Sequence, residues 1–364
     1  MKKLMTLALA AAFAATLAAC TDTDHGNITL PTPTEAATTE NVEATSTETA
    51  EPVTTETSES TAEVVNPTEE TKYAVLDFNE CAEEVLRLKA FHDDTEKLPE
   101  DADGETVLYI KNTGGDVTDL GPSWFATDGE TICVMDMNCD LQVYDANGFV
   151  RRVEADYPDG WRSACMVDGD IYSMRGSLDT ATGRFKSRAK ENMPAFMDNF
   201  YGIVHFFNYN GKPCFTSDSY NDEANNINYY YDIESASWIE GEKVCSYRSD
   251  DESTTVILSN GAKCRLPAKG YELIGIDKEG CLYFSCMDFN VGTDDAGAID
   301  ISFNLPESLV KADSNGNIVS MVTMPFDIYE DLWEPNYQYN LLPDGTVYVA
   351  AAMNDAYVIW KIAM

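Results

Sequence analysis

Positive charge is scarce in this chain. Against 63 Asp and Glu it has 24 Lys and Arg, giving a net charge of -39 over 364 residues. A surface so acidic repels phosphate backbones and anionic headgroups, which argues against nucleic acid as a partner. Histidine is scarcer still, at three residues. His25 lies in a polar tail, His92 precedes the solvated stretch DDTEK, and His205 alternates with apolar residues in GIVHFF as a core or face residue of a strand. None has the HExxH or ligand spacing that a His-based zinc or nucleophile site needs. No GxGxxG, P-loop or GxSxG stretch occurs, so no nucleotide cradle or nucleophile elbow is marked. No CxxC pair occurs among the nine cysteines that follow Cys20, and their number is odd. They read mainly as small buried hydrophobes rather than as a disulfide frame.

Long apolar runs are also missing, with one short exception. Lys2 and Lys3 precede an Ala-rich run from Leu4 to Ala19. It is too short for a spanning helix, and a basic start before a short apolar core reads as a secretory signal over residues 1–19. The run ends Leu17-Ala18-Ala19-Cys20. This resembles the lipobox of bacterial lipoproteins, and the resemblance implies that Cys20 is lipidated and becomes the new N-terminus. Two or more acyl chains on Cys20 suffice for stable anchoring without a spanning helix. The expected location is the bacterial cell envelope, on the outer side of a membrane.

Residues 21–71 lack aromatics, Lys and Arg, and hold 16 Thr and 12 acidic residues. Such a segment buries too little apolar surface to offset its ordering entropy, so residues 20–71 are expected to be a disordered, lipid-anchored linker. Since Lys2 and Lys3 are the only cations before residue 72, a charge of about -29 is left to residues 72–364. Nearly all the aromatics fall there too, enough for one large domain.

Within residues 72–364 a turn signal recurs: DGETVLYI at Asp103, DGETICVM at Asp128, DGDIYSM at Asp168, NGKPCFTS at Asn210, KEGCLYFS at Lys278 and DGTVYVAA at Asp344. Asp-Gly and Asn-Gly favour the positive-φ turns of antiparallel hairpins. A second set alternates with the first, at DANG, TATG, SNGA and DSNGN. Four short strands per 40-odd residues is the spacing of a propeller blade. The domain resembles WD-repeat-like bacterial β-propellers, without a Trp-Asp signature. The predicted fold is all-β, a β-propeller of six or seven four-stranded blades. KYAVLDFN at Lys72 is expected to supply the last blade's missing strand, and AEEVLRLKAF at Ala82 has the spacing of a short helix.

In a propeller the two turn sets share one face, so the longer connections fall on the other. There Tyr157, Trp161, Tyr271, Tyr329, Trp333 and Tyr337 are expected to ring a rim and form a binding face; the competing role is packing between blades. No cofactor is expected, apart from Ca²⁺ as a candidate in the oxygen-rich loops NVGTDDAGAID and DSYNDEANN, neither of which has EF-hand spacing. The reading is a surface-displayed, lipid-anchored binding module for a glycan, a cell-wall component or a protein. The alternatives are a glycan-active enzyme using paired carboxylates, which are too many here to single out, and an envelope-assembly scaffold. No residue pattern selects a reaction.

Overall fold

The computed structural model describes residues 73–93, 98, 104–110, 121–136, 140–155, 163–173, 176–187, 204–218, 225–232, 237–249, 254–268, 270–293, 299–325, 337–353 and 355–364. The expected signal, Cys20 and the expected linker lie outside them. The chain divides between Asn66 and Pro67, and all described residues belong to the second unit.

The first described elements are a strand β1 (Ala74–Leu76), one helical turn α1 (Phe78–Cys81) capped by the Asp77 carboxylate, and the strands β2 (Ala82–Asp93) and β3 (Thr106–Ile110). Meandering antiparallel sheets follow. One holds β4 (Trp124–Thr127), β5 (Ile132–Met135), β6 (Asp140–Asp145) and β7 (Gly148–Glu154). The next holds β8 (Cys165–Val167), β9 (Asp170–Ser173), β10 (Gly176–Asp179) and β11 (Phe185–Ser187). A six-stranded sheet takes β12 (Val204–Tyr209), β13 (Lys212–Asp218), β14 (Asn225–Asp232), β15 (Ser237–Ser249), β16 (Thr254–Leu258) and β17 (Lys263–Leu266). Then come β18 (Gly270–Ile276), β19 (Leu282–Thr293), β20 (Ile299–Ala312) and β21 (Ile318–Thr323), joined at the outer edge by β1. The last sheet is β22 (Tyr337–Leu341), β23 (Val347–Ala352) and β24 (Ala356–Ile362), continued by β2 and β3.

The first strands of the five sheets pack in a ring: β4 on β8, β8 on β12, β12 on β18, β18 on β22, and β22 back on β4. This is the closed circle of radial sheets that makes a β-propeller. Its blades number five among the described residues, where the turn spacing gives six or seven. Two signals account for the excess. The strand after Asp103-Gly104 does not open a blade; it joins the last sheet as β3, parallel to β2. The stretch after β15, which carries the SNGA turn, does not open a blade of its own either. The β16–β17 hairpin extends the sheet of β12–β15, pairing with the far half of β15, and packs Val256, Cys264 and Leu266 against Leu273 and Phe284.

The ring closes differently from the expectation too. KYAVLDFN gives β1, which pairs with β21 and not with the last blade. The fourth strand of that blade is β2, antiparallel to β24 from Ala82↔Ile362 to Lys89↔Ala356. Its sequence is rich in helix formers, but Leu86, Leu88 and Ala90 also alternate. Leu88 and Ala90 are buried while Arg87 and Lys89 are exposed. Pairing with an otherwise open edge overrides helix propensity here.

Apart from the signal at Asp103-Gly104, the turns of the described residues behave as read. Asp168-Gly169 have φ of 52° and 82°, and Asn210-Gly211 of 53° and 77°, the paired positive values of type I′ hairpins. Carboxylates of Asp128, Asp145, Asp179, Asp277, Asp313 and Asp344 accept from backbone N–H groups two residues on, holding the turns of one face tight. Apolar cores lie between neighbouring sheets, and polar side chains stitch blades together. Gln338 Nε2 donates to Pro122 O at 2.9 Å, Asn340 Nδ2 to Ala164 O at 2.7 Å, and Phe206 N to Ser163 Oγ at 3.0 Å. All eight cysteines in the described residues are free thiols, six of them buried. Burial pushes Cys133 and Cys214 up to about 12, which suppresses the thiolate and fits a packing role.

The latch carries a prediction. Leu88 is buried among Tyr357, Ile359 and Val107, so Leu88→Ala is expected to cost about 3 kcal/mol in chemical denaturation. Exposed Lys89→Ala on the same strand is expected to cost under about 0.5 kcal/mol. Equal small losses would mean that β2 does not hold the ring.

Candidate functional site

Each inner strand runs from the connection that links it to the preceding sheet (only residues 267–269 before β18) to a hairpin turn, so its first residues lie on the face opposite those turns. At that end three neighbouring blades bring ionisable and hydroxyl side chains together. His205 comes from β12, Glu272 from β18, Ser285 from β19, Glu307 from β20 and Tyr339 from β22. Strand pairing sets this convergence: Glu272 stands opposite Ser285.

His205 Nε2 lies 2.8 Å from Glu272 Oε2. The hydroxyls of Ser285 and Tyr339 both donate to Glu307 Oε1. The His205 and Tyr339 rings meet edge to face at 6.0 Å, linking the two halves. Glu307, Ser285, Tyr339 and His205 are buried, whereas the Glu272 side chain is a third exposed. Burial pushes the Glu307 carboxyl up to about 7, and the nearby Glu272 carboxylate raises it further; the two hydroxyls and His205 oppose the shift. Burial and the Glu307 carboxylate push the Tyr339 phenol well above its ordinary value. A carboxylic acid poised near neutrality beside a solvent-reached carboxylate can exchange a proton or receive a cation.

Of the rim predicted from sequence, Tyr157, Trp161, Tyr329 and Trp333 lie outside the described residues. Tyr271 and Tyr337 take the packing role instead. Tyr271 is half-buried with its ring edge to face on Phe284 at 5.8 Å, and Tyr337 is buried in the core beside Tyr339. Both start inner strands at the predicted end, one and two residues from Glu272 and Tyr339. Two of the missed residues left a faint trace: His205 and Glu272 are ionisable side chains on mostly apolar strands. Their convergence depends on ring geometry that no local stretch encodes. His92 is exposed as expected, its ring tilted against Tyr109.

A concavity of about 350 Å³ lies beside the latch, away from this cluster, between Arg87, Lys89, Glu105, Thr106, Asp355 and Ala356. Arg87 is already engaged with Glu84 at 2.7 and 2.9 Å, and the two signs of charge balance. Among the described residues no group of three or more His, Cys, Asp or Glu is placed to hold a metal ion. The tip of the loop NVGTDDAGAID and most of DSYNDEANN lie outside those residues.

No family model and no curated protein matches the sequence. Solved structures with similarity include BamB from Moraxella catarrhalis, at 11% identity and TM-score 0.31 over 77% of this chain and 97% of that one. The WD40 β-propeller domain of Doa1 is another, at 10% identity and TM-score 0.29 over 65% and 92%. The propeller assignment stands on the ring of inner strands.

Glu307 sets a pH dependence. Its value rises from an ordinary 4.5 to about 7 on folding, so its contribution is full below about 4.5 and is lost as pH rises through about 7. The amount is about 3 kcal/mol. The melting temperature should fall across that window, and Glu307→Gln should flatten the fall. A wild-type melting temperature that rises or stays level from about pH 5 to 8 would contradict the assignment.

Proposed function

We propose that this chain is an exported, lipid-anchored β-propeller that acts as a binding module, its loop face turned to a ligand in the cell envelope. The observation that carries this reading is the His205–Glu272–Glu307 cluster at the mouth of the inner strands. Buried ionisable groups there cost folding energy that an apolar core would not, and one of their carboxylates remains open to solvent. The opposite face is closed by tight Asx turns. The lipobox-like Leu17-Ala18-Ala19-Cys20 supports the anchor, and the Thr- and Glu-rich linker supports display away from the membrane. A glycan, a cell-wall component and a protein all remain compatible with such a face.

A second reading has its own observation. Glu307 with a raised value, beside the part-exposed carboxyl of Glu272, gives two neighbouring carboxyls of the kind glycan hydrolysis uses. Both hydroxyls on Glu307 Oε1 and its near-complete burial speak against direct contact with a scissile bond.

Two measurements test the proposal. Cys20→Ser should move the protein from the membrane to the soluble fraction. In binding screens with glycans, cell-wall fragments and envelope extracts, Trp333→Ala should weaken binding at least tenfold with the melting temperature nearly unchanged, while Lys278→Ala on the tight-turn face has no effect. Unfolding by Trp333→Ala, or equal loss from both variants, would contradict a binding loop face. Hydrolysis of a polysaccharide abolished by Glu272→Gln would replace it with the enzymatic reading.

A further inference from the structure

We infer that Asn147 is a site of self-modification, where the Gly148 backbone converts the Asn147 side-chain amide into a carboxylate while the three other Asn-Gly steps of the chain are held back by their turns. The inference stands apart from the binding reading above.

Asn-Gly occurs four times, at Asn147, Asn210, Asn260 and Asn315. This dipeptide is open to deamidation because glycine has no side chain to shield its nitrogen or restrict its dihedrals. The glycine nitrogen attacks the asparagine Cγ and a C–N bond forms. The bond from Cγ to the side-chain nitrogen breaks, and that nitrogen leaves as ammonia with the proton the backbone nitrogen gives up. Water then opens the resulting cyclic imide at either carbonyl, leaving aspartate or isoaspartate. No oxidant, reductant or cofactor takes part. The sequence ranks the four steps alike, and all four asparagines are exposed.

The turns separate them by how they hold the reacting groups. Asn260 is held by its side chain, whose Nδ2 donates to Ser314 O at 2.7 Å while Oδ1 accepts from Ala262 N at 2.9 Å. Its Cγ cannot swing toward Gly261 without breaking both bonds. Asn315 is held through its glycine. A Cβ on Gly316 would come 2.5 Å from Lys263 O, so the peptide between Asn315 and Gly316 has little room to rotate. These two turns brace each other, one between β16 and β17 and the other between β20 and β21. Asn210 is held through the nucleophile. Gly211 N donates to Asn208 Oδ1 at 3.0 Å, and Asn210 itself sits at a φ of 53° in its tight turn.

Asn147 has none of these restraints. Its side chain has no hydrogen-bond partner among the described residues, and nothing lies within 4 Å of where a Cβ on Gly148 would stand. Asp145 Oδ1 accepts from Asn147 N at 2.7 Å, which fixes the backbone before the side chain and leaves Cγ free. Gly148 stands opposite Asp145 at the end of the β6–β7 hairpin, at the outer edge of its sheet. Either product adds a negative charge there, and isoaspartate also lengthens the main chain by one methylene. The turn belongs to the face opposite the His205–Glu272–Glu307 cluster, so the change leaves the loop face as it was.

The test keeps the mature chain at mildly alkaline pH and samples it over weeks. Peptide mapping by mass spectrometry reads the amide-to-acid mass change at each step, and enzymatic methylation of isoaspartate confirms the imide route. Each native rate is divided by the rate of the same step in denaturant, where the turns are absent. The ratio at Asn147 should exceed those at Asn260 and Asn315 at least tenfold and that at Asn210 at least threefold. Asn208→Ala frees the Gly211 nitrogen, so it should raise the Asn210 rate at least threefold and leave Asn147 unchanged. Equal ratios at the four steps, a higher ratio at any of the other three, or an inert Asn147 in a chain that reacts when denatured would overturn the inference. An Asn210 rate unmoved by Asn208→Ala would overturn the account of what restrains that turn.

Discussion

Antiparallel pairing between β2 and β24 holds together two segments some 270 residues apart in sequence. Each sheet in the ring buries its faces against its neighbours, so no blade has a complete core without the next one. A gap anywhere would expose two apolar faces and two strand edges at once. The latch therefore carries more than its own hydrogen bonds. It turns a row of meanders into a closed circle, and closure is what brings the starts of β12, β18 and β22 within reach of one another.

That convergence explains the polar cluster. The inner strands of the five described sheets stand close, and side chains near their ends crowd toward one axis. Most such positions here are apolar or aromatic. His205 and Glu272 are exceptions on the inner strands of two successive blades, and Glu307 joins them from β20 of the same sheet as Glu272. Burying acids in a chain already at -39 costs energy, and the hydroxyls of Ser285 and Tyr339 offset part of it. The remaining cost stays as a raised Glu307 value, concentrated on the face that lacks the tight turns.

Much of the architecture was legible in the sequence because turn chemistry is local. Asp168-Gly169 and Asn210-Gly211 demand positive φ, and their alternation with the second set of turns places them on one face. The cysteines read as packing residues for an equally local reason, their lack of paired spacing. Blade number was less legible, since Asp103-Gly104 has the same composition as the true inner turns and yet precedes a strand recruited to the last sheet. The β2 segment misled in a different way. AEEVLRLKAF satisfies helical and alternating patterns together, and the open edge of β24 decides between them. Tyr271 and Tyr337 marked the correct ends of inner strands, but their rings turn into the cores. Glu307 gave no warning, because its neighbours Ser285 and Tyr339 are 22 and 32 residues away.

Hydrogen exchange resolved by residue tests ring closure most directly. If β2 completes the last blade, the amides of β2 between Ala82 and Lys89 that pair with β24 should exchange as slowly as those of β24 and the inner strand β22, all opening only with global unfolding. Rapid exchange along β2 beside a protected β24 would show that the circle is closed by something else, and the convergence of β12, β18 and β22 would lose its cause.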